Sequence, residues 1–178
     1  MLETINLELL KKIKETSILE GKFTTRAGKK TNYYVDKYLF ETKPDILNSI
    51  ADELVKILPN PNNYDRIAAP ELGAVALAAV VSIKVGKPFI IIKKQTKDYG
   101  TKKHIEGEFK PSEKVVVLED ILTTGGAVLR ACDILLAEKM KILEIVGVFN
   151  REEGAEENIT AKNLTMKALF KKSDLSLC

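Results

Sequence analysis

Two adjacent carboxylates, followed closely by paired threonines and paired glycines, are the side chains in this sequence best spaced to do chemistry. Glu119 and Asp120 close an apolar run, Val115 to Leu118, and after Ile121 and Leu122 come Thr123, Thr124, Gly125 and Gly126. A Thr and Gly loop lets backbone N–H groups approach a ligand, and the helix start expected behind it adds unpaired N–H groups and a dipole favourable to an anion. An ionised carboxylate only accepts hydrogen bonds, so the acids must face hydroxyl groups rather than the anion. A ribose 5-phosphate unit meets both conditions. The pattern is neither the G-x-x-x-x-G-K-[ST] of a P-loop nor the G-x-G-x-x-G of a dinucleotide fold.

Other segments place charge or an aromatic face in loops. Lys93, Lys94, Lys97, Tyr99, Lys102, Lys103 and the single histidine, His104, lie in one basic stretch after the apolar run Phe89 to Ile92. A connection so long and basic reads as a lid over a polyanion. Arg151 follows an apolar stretch ending at Phe149, a strand end of the kind at which open α/β sheets bind ligands. Arg26, Tyr33 and Tyr34 lie between Gly21 and Asp36, a segment expected to form two short strands joined by a glycine turn. An aromatic face suits a planar base and a guanidinium an anionic oxygen, while strand alternation between core and surface would also account for the tyrosines.

These stretches resemble the orotate phosphoribosyltransferases, members of the type I phosphoribosyltransferase family. The apolar run, acid pair and T-T-G-G resemble the family's signature for phosphoribosyl diphosphate (PRPP). F-T-x-R-x-G-x-x-T-x-x-Y-x-D from Phe23 to Asp36 resembles the N-terminal hood, K-K-x-x-K-x-Y-G from Lys93 to Gly100 the catalytic loop, and N-R-E-E-G from Asn150 a segment contacting the pyrimidine. The resemblance implies Glu119 and Asp120 on the ribose hydroxyls and Thr123, Thr124, Gly125, Gly126 and Ala127 around the 5-phosphate. It implies Leu72 and Gly73 facing the diphosphate through their backbone, with Lys93, Lys94, Lys97 and Tyr99 also on PRPP. Arg26, Tyr34, Thr123 and Arg151 would surround orotate, and Lys94, Lys97 and Asp120 would be catalytic. The implied reaction displaces diphosphate from C1 of PRPP by N1 of orotate, with Mg²⁺ held by PRPP oxygens rather than by protein ligands. The implied assembly is a homodimer sharing the 94–107 loop. Two departures stand out: the turn Glu71-Leu72-Gly73 lacks the lysine some orotate enzymes carry, and Tyr99 replaces the loop histidine. Enzymes of the same fold acting on a purine or uracil, and a PRPP-sensing regulator without chemistry, are the competing readings.

The elements that must position these groups follow from hydrophobic patterning. Strands are expected at 65–69, 88–93, 115–119, 142–149 and 164–170, alternating with helices, and the helix at residues 2–15 places Leu2, Ile5, Leu9 and Ile13 on one side. The predicted fold is α/β, a doubly wound five-stranded parallel sheet flanked by helices. One domain spans 1–178, divided into a hood at 1–40 and a core at 41–178.

Composition agrees with that plan. With 178 residues, 45% hydrophobic and 30% charged, the chain can bury one sizeable core. A net charge of +3 is too mild to imply nucleic acid. Cys132 and Cys178 have no partner at metal-ligand or CxxC spacing, so free thiols in a reducing cytoplasm are expected. The apolar run Ala74 to Val81 is too short to span a bilayer.

Overall fold

All five expected strands are present as one parallel array in the computed structural model, which describes residues 6–24, 28, 30–94 and 103–177. Helix α1 (Leu7–Ser17) buries Leu9, Leu10 and Ile13 and is capped by the Asn6 side chain, which accepts from the Leu9 amide at 3.0 Å. Strands β1 (Ile18–Thr24) and β2 (Lys30–Val35) pair antiparallel as a separate two-stranded hood. Asp36 then caps the short helix α2 (Lys37–Glu41), and Pro44, with its backbone angle already helical, opens α3 (Pro44–Ile57).

The core alternates strand and helix: β3 (Arg66–Pro70), α4 (Gly73–Val85), β4 (Phe89–Ile92), β5 (Ile105–Glu106), β6 (Lys114–Leu122), α5 (Gly126–Ala137), β7 (Lys141–Asn150), α6 (Ala155–Thr160) and β8 (Met166–Lys171). The sheet order is β5-β4-β3-β6-β7-β8. The sheet therefore has six strands rather than the five expected, because β5 returns antiparallel along β4. Two residues are too few to register as a hydrophobic period. A second correction concerns β6, which does not end at the acids. It continues through them to Leu122, paired with β7 as far as Asn150, since the backbone ladder is indifferent to side-chain polarity.

Both sheet faces are covered, as a continuous apolar strand demands. On one face Val116 and Leu118 pack with Leu10, Ile50, Leu54 and Leu77; on the other Val115 and Val117 pack with Val128, Cys132, Leu135 and Ile159. Arg66 at the start of β3 is held by a two-pronged ion pair to Glu113, with Nε–Oε2 at 2.5 Å and Nη2–Oε1 at 2.8 Å, which fixes β3 beside β6. Chain progression runs outward from β3 to β4, then returns to β6 on its other side. The β3–β6 boundary is thus a topological switch, where the connections diverge and leave a crevice beyond the carboxyl ends of the strands.

Candidate active site

At the switch, the turn after β3 and the acids of β6 are brought together. Ala68 lies in register with Val117, so Glu71, Leu72 and Gly73 stand beside Glu119 and Asp120. Asp120 is 1% exposed. Its Oδ2 accepts a hydrogen bond from Lys37 Nζ on α2, and its Oδ1 accepts from the Ile121 amide at 2.5 Å. A Cβ on Gly73 would fall 1.4 Å from Asp120 Oδ2 and 2.5 Å from Lys37 Nζ, so the carboxylate occupies the space that any other residue would fill at the start of α4.

Two more carboxyls face the same group. Glu41, 5% exposed on α2, has its acidity weakened by burial and then by the Asp120 charge and hydrogen bond, raising its pKa to about 9. Glu119 is raised well above the ordinary carboxylate range, again by burial first and Asp120 second. Lys37 loses some basicity to burial, but the Asp120 charge and hydrogen bond and the Glu41 charge outweigh that and raise its pKa overall. One ammonium therefore serves three clustered carboxyls, and burial beside Asp120 shifts the other two toward their protonated forms. Glu41 Oε1 and Glu119 Oε2 are buried without a hydrogen-bond partner among the described residues.

The Thr123–Ala127 loop leads directly from this cluster into α5. Gly125, at φ 77°, turns the chain into the helix, and a Cβ there would stand 3.4 Å from Ile159 Cγ1. Asn158 of α6 braces the loop by donating to the Thr124 carbonyl at 2.9 Å. Thr124 and Ala127 are exposed, and the first-turn amides of α5 have no carbonyl a turn earlier to bond. Arg130 Nη1 lies 3.6 Å from where a Gly126 Cβ would be, adding positive charge beside the loop. Sequence reading did not single out Arg130; its spacing of one turn from Gly126 was the available signal.

The lysine segment is held at its stem. Glu71 Oε1 accepts from the Lys94 amide at 2.6 Å, tying the root of the loop to the turn after β3. Lys93 is paired with Glu106 at 2.6 Å across β4 and β5 rather than turned toward the acids. Lys97 and Tyr99 lie outside the described residues, as does Arg26. His104 is exposed, with its carbonyl accepting from the Lys93 amide at 2.8 Å.

Arg151 lies beside Thr123, because its amide donates to the Leu122 carbonyl at 2.8 Å. Its guanidinium is 12% exposed, bonds Glu153 at 2.9 Å and lies 5.4 Å from the Tyr33 ring centre. Lys172 Nζ lies 5.7 Å from the same ring centre. Tyr33 is thus the tyrosine that meets Arg151. Tyr34, singled out by the motif, is 46% exposed and packs against Phe23 with ring centres 5.6 Å apart.

The structure brings together Leu72, Gly73, Glu119, Asp120 and the root of Lys94, with the Thr123–Ala127 loop and Arg151 along the same sheet edge. Lys37 and Glu41 were missed by sequence reading. They stand far from Asp120 in the chain, 83 residues away for Lys37, and no linear spacing connects them. Among the described residues, no group of three or more His, Cys, Asp and Glu side chains could hold a metal ion, and no helix is long and apolar enough to cross a membrane.

Comparison with known proteins gives the same direction. Residues 40–169 match the phosphoribosyl transferase domain family. Orotate phosphoribosyltransferase of Methanocella arvoryzae is 41% identical over 172 residues, covering 96% of this chain and 97% of that protein. Its counterpart in Thermococcus gammatolerans is 39% identical over 176 residues, covering 98% and 93%. The crystal structure of Mycobacterium tuberculosis orotate phosphoribosyltransferase in complex with PRPP has the same fold, with a TM-score of 0.77 and 24% identity, covering 95% of this chain and 97% of that one.

Proposed function

We propose that this chain, which belongs to the phosphoribosyltransferase family and within it to the orotate phosphoribosyltransferases, transfers the 5-phosphoribosyl group of PRPP to orotate. The products are orotidine 5-monophosphate and diphosphate, a step of pyrimidine biosynthesis. The observation that carries the reading is the end of β6, where the buried Asp120 carboxylate, clasped by Lys37 over the start of α4, precedes the Thr123–Ala127 anion loop.

The parts divide the work. The Thr123–Ala127 loop takes the 5-phosphate, and Asp120 accepts from a ribose hydroxyl. Glu119 takes the other hydroxyl, with burial and the Asp120 charge favouring its protonated form. The N1–C1 bond forms as the C1–O bond to diphosphate breaks, its electron pair leaves with the diphosphate, and the N1 proton is released. Positive charge gathers on the ribose ring and negative charge on the leaving group, so placed cations and orientation supply the rate. Lys94 and Lys97 stabilise the diphosphate, aided by the Leu72 and Gly73 backbone, Lys93 and Tyr99. Arg151, Thr123, Arg26 and Tyr34 orient orotate, whose carboxylate and carbonyls suit a guanidinium. Closing the lysine loop keeps water from the activated sugar.

Lys37 already neutralises Asp120, which disfavours a divalent ion directly on that carboxylate. Mg²⁺ therefore enters as part of the substrate, on PRPP oxygens. A homodimer is supported by two exposed apolar side chains at α4, Leu72 just before the helix at 64% and Ile83 within it at 82%, and in that dimer the 94–107 loop is shared between the subunits. A cytoplasmic location fits the free thiol of Cys132, and we read 1–178 as one catalytic domain.

The test is orotate absorbance on mixing protein, PRPP and Mg²⁺, with uracil and purines as controls. Orotate should be consumed, and Lys97→Ala should slow consumption about 100-fold or more. Consumption of uracil or a purine with orotate untouched would overturn the base assignment.

A further inference from the structure

We propose that Lys37 and Glu41 are positioning residues for the transfer reaction, together holding the Asp120 carboxylate in the one orientation that serves the ribose hydroxyls. The inference deepens the proposed function and rests on it. Lys37 and Glu41 are four residues apart on α2, so both side chains leave the same side of the helix. That side faces the end of β6. Lys37 donates to Asp120 Oδ2, with 2% of the Asp120 side chain exposed. The wall behind is the Gly73 backbone, which approaches so closely that a Cβ there would overlap Oδ2. Asp120 is therefore pressed between the turn after β3 and α2, with little room to rotate.

Glu41 completes the clasp. It is buried, its Oε1 has no hydrogen-bond partner among the described residues, and Asp120 is its principal charged neighbour. Lys37, Asp36 and Glu119 are the other charged groups in the cluster, and the Tyr38 ring centre lies 5.4 Å from Lys37 Nζ. A single ammonium cannot neutralise three ionised carboxyls in so dry a place. The protonated Glu41 carboxyl acts instead as a neutral donor to Asp120, opposing rotation without adding charge beside the ribose. Stability alone gives no reason for this arrangement, because a buried ion pair is commonly no better than apolar side chains of the same volume. A substrate whose hydroxyls must find a carboxylate in fixed register does give one.

The test uses the full chain and reads Mg²⁺-PRPP binding by calorimetry, orotate turnover, and thermal melting. Lys37→Met should weaken PRPP binding about tenfold or more while leaving the KM for orotate within about twofold, with Lys37→Arg recovering most of the loss. Glu41→Leu should weaken PRPP binding similarly, and Glu41→Gln, which keeps a neutral donor, should lose far less. The positioning roles are overturned if Lys37→Met and Glu41→Leu bind PRPP like the unaltered chain, or if Glu41→Gln is as damaging as Glu41→Leu. They are also overturned if activity falls only in proportion to a lowered melting temperature. If the unaltered chain binds no PRPP, the functional reading falls and takes the positioning roles with it. If it binds PRPP and converts orotate while the variants do likewise, the positioning roles fall alone.

Discussion

Gly73→Ala adds one methyl group at the start of α4 and should disable the site while sparing the fold. Gly73 does not have a positive φ, so alanine meets no backbone strain there, and at a helix position alanine is favoured over glycine by about 1 kcal/mol. The difficulty is steric and local. The added Cβ would stand 1.4 Å from Asp120 Oδ2, where ordinary contact begins at 3.4 Å, so the carboxylate must retreat by roughly 2 Å (3.4 less 1.4). Lys37 Nζ, 2.5 Å from the same point, must move with it. A misplacement of about 1 Å can cost about 100-fold in rate, so kcat/KM for PRPP should fall at least that far, about 2.7 kcal/mol of transition-state stabilisation. Steady-state orotate consumption measures the loss, and a melt recorded alongside should change little. A double-mutant cycle isolates the cause: if the added methyl acts through the carboxylate, Gly73→Ala combined with Asp120→Ala should be scarcely worse than Asp120→Ala alone. A kcat/KM within about threefold of the unaltered chain, or full additivity in the cycle, would refute the reasoning.

Three further outcomes follow from individual contacts. Arg151→Ala should raise the KM for orotate by about tenfold or more and leave PRPP binding unchanged, as steady-state kinetics with each substrate varied would reveal. Arg66→Ala breaks the two-pronged pair with Glu113, whose side chains are 13% and 18% exposed, and should cost about 2–3 kcal/mol in denaturant unfolding. The folded fraction of that variant should keep its kcat, since the pair lies at the opposite end of β3 from the site. Glu41, with its pKa raised from 4.5 to about 9, keeps a proton in the folded chain that the unfolded chain has lost between those values. Its contribution to stability is therefore complete below about 4.5 and declines as pH rises toward about 9, with a slope of at most about 1.4 kcal/mol per pH unit. Glu41→Gln should flatten that part of the decline in pH-dependent denaturation; parallel curves for the two proteins would contradict the buried, protonated state.

The parts of the fold legible in sequence were those specified by neighbouring residues. The β-branched run before Glu119, the Thr and Gly loop and the helix behind it are contiguous, so strand, loop and helix were predictable as a unit, and the curated relatives agree with the family those residues resemble. The five parallel strands were likewise visible as apolar runs. The antiparallel β5 was not, because its two residues are too few to show a period and gain strand character only by pairing with β4. Nor did the apolar pattern reveal that β6 passes through Glu119 and Asp120, since the ladder with β7 decides where the strand ends.

At the site, the sequence by itself determined which groups were available: an acid pair, a Thr and Gly loop ahead of a helix, a run of lysines and Arg151 at a strand end. Only the tertiary structure decided the protonation and aim of those groups. The charge state of Glu41 and Glu119 depends on burial beside Asp120 and Lys37, and that crowding exists only once α2 packs against the end of β6. The choice of Tyr33 as the partner of Arg151 depends on which face of the hairpin turns inward. The need for glycine at position 73 arises because Asp120, 47 positions later in the chain, already fills the space. Composition and spacing list the functional groups along one dimension; desolvation, steric exclusion and hydrogen-bond direction are set by what surrounds them in three.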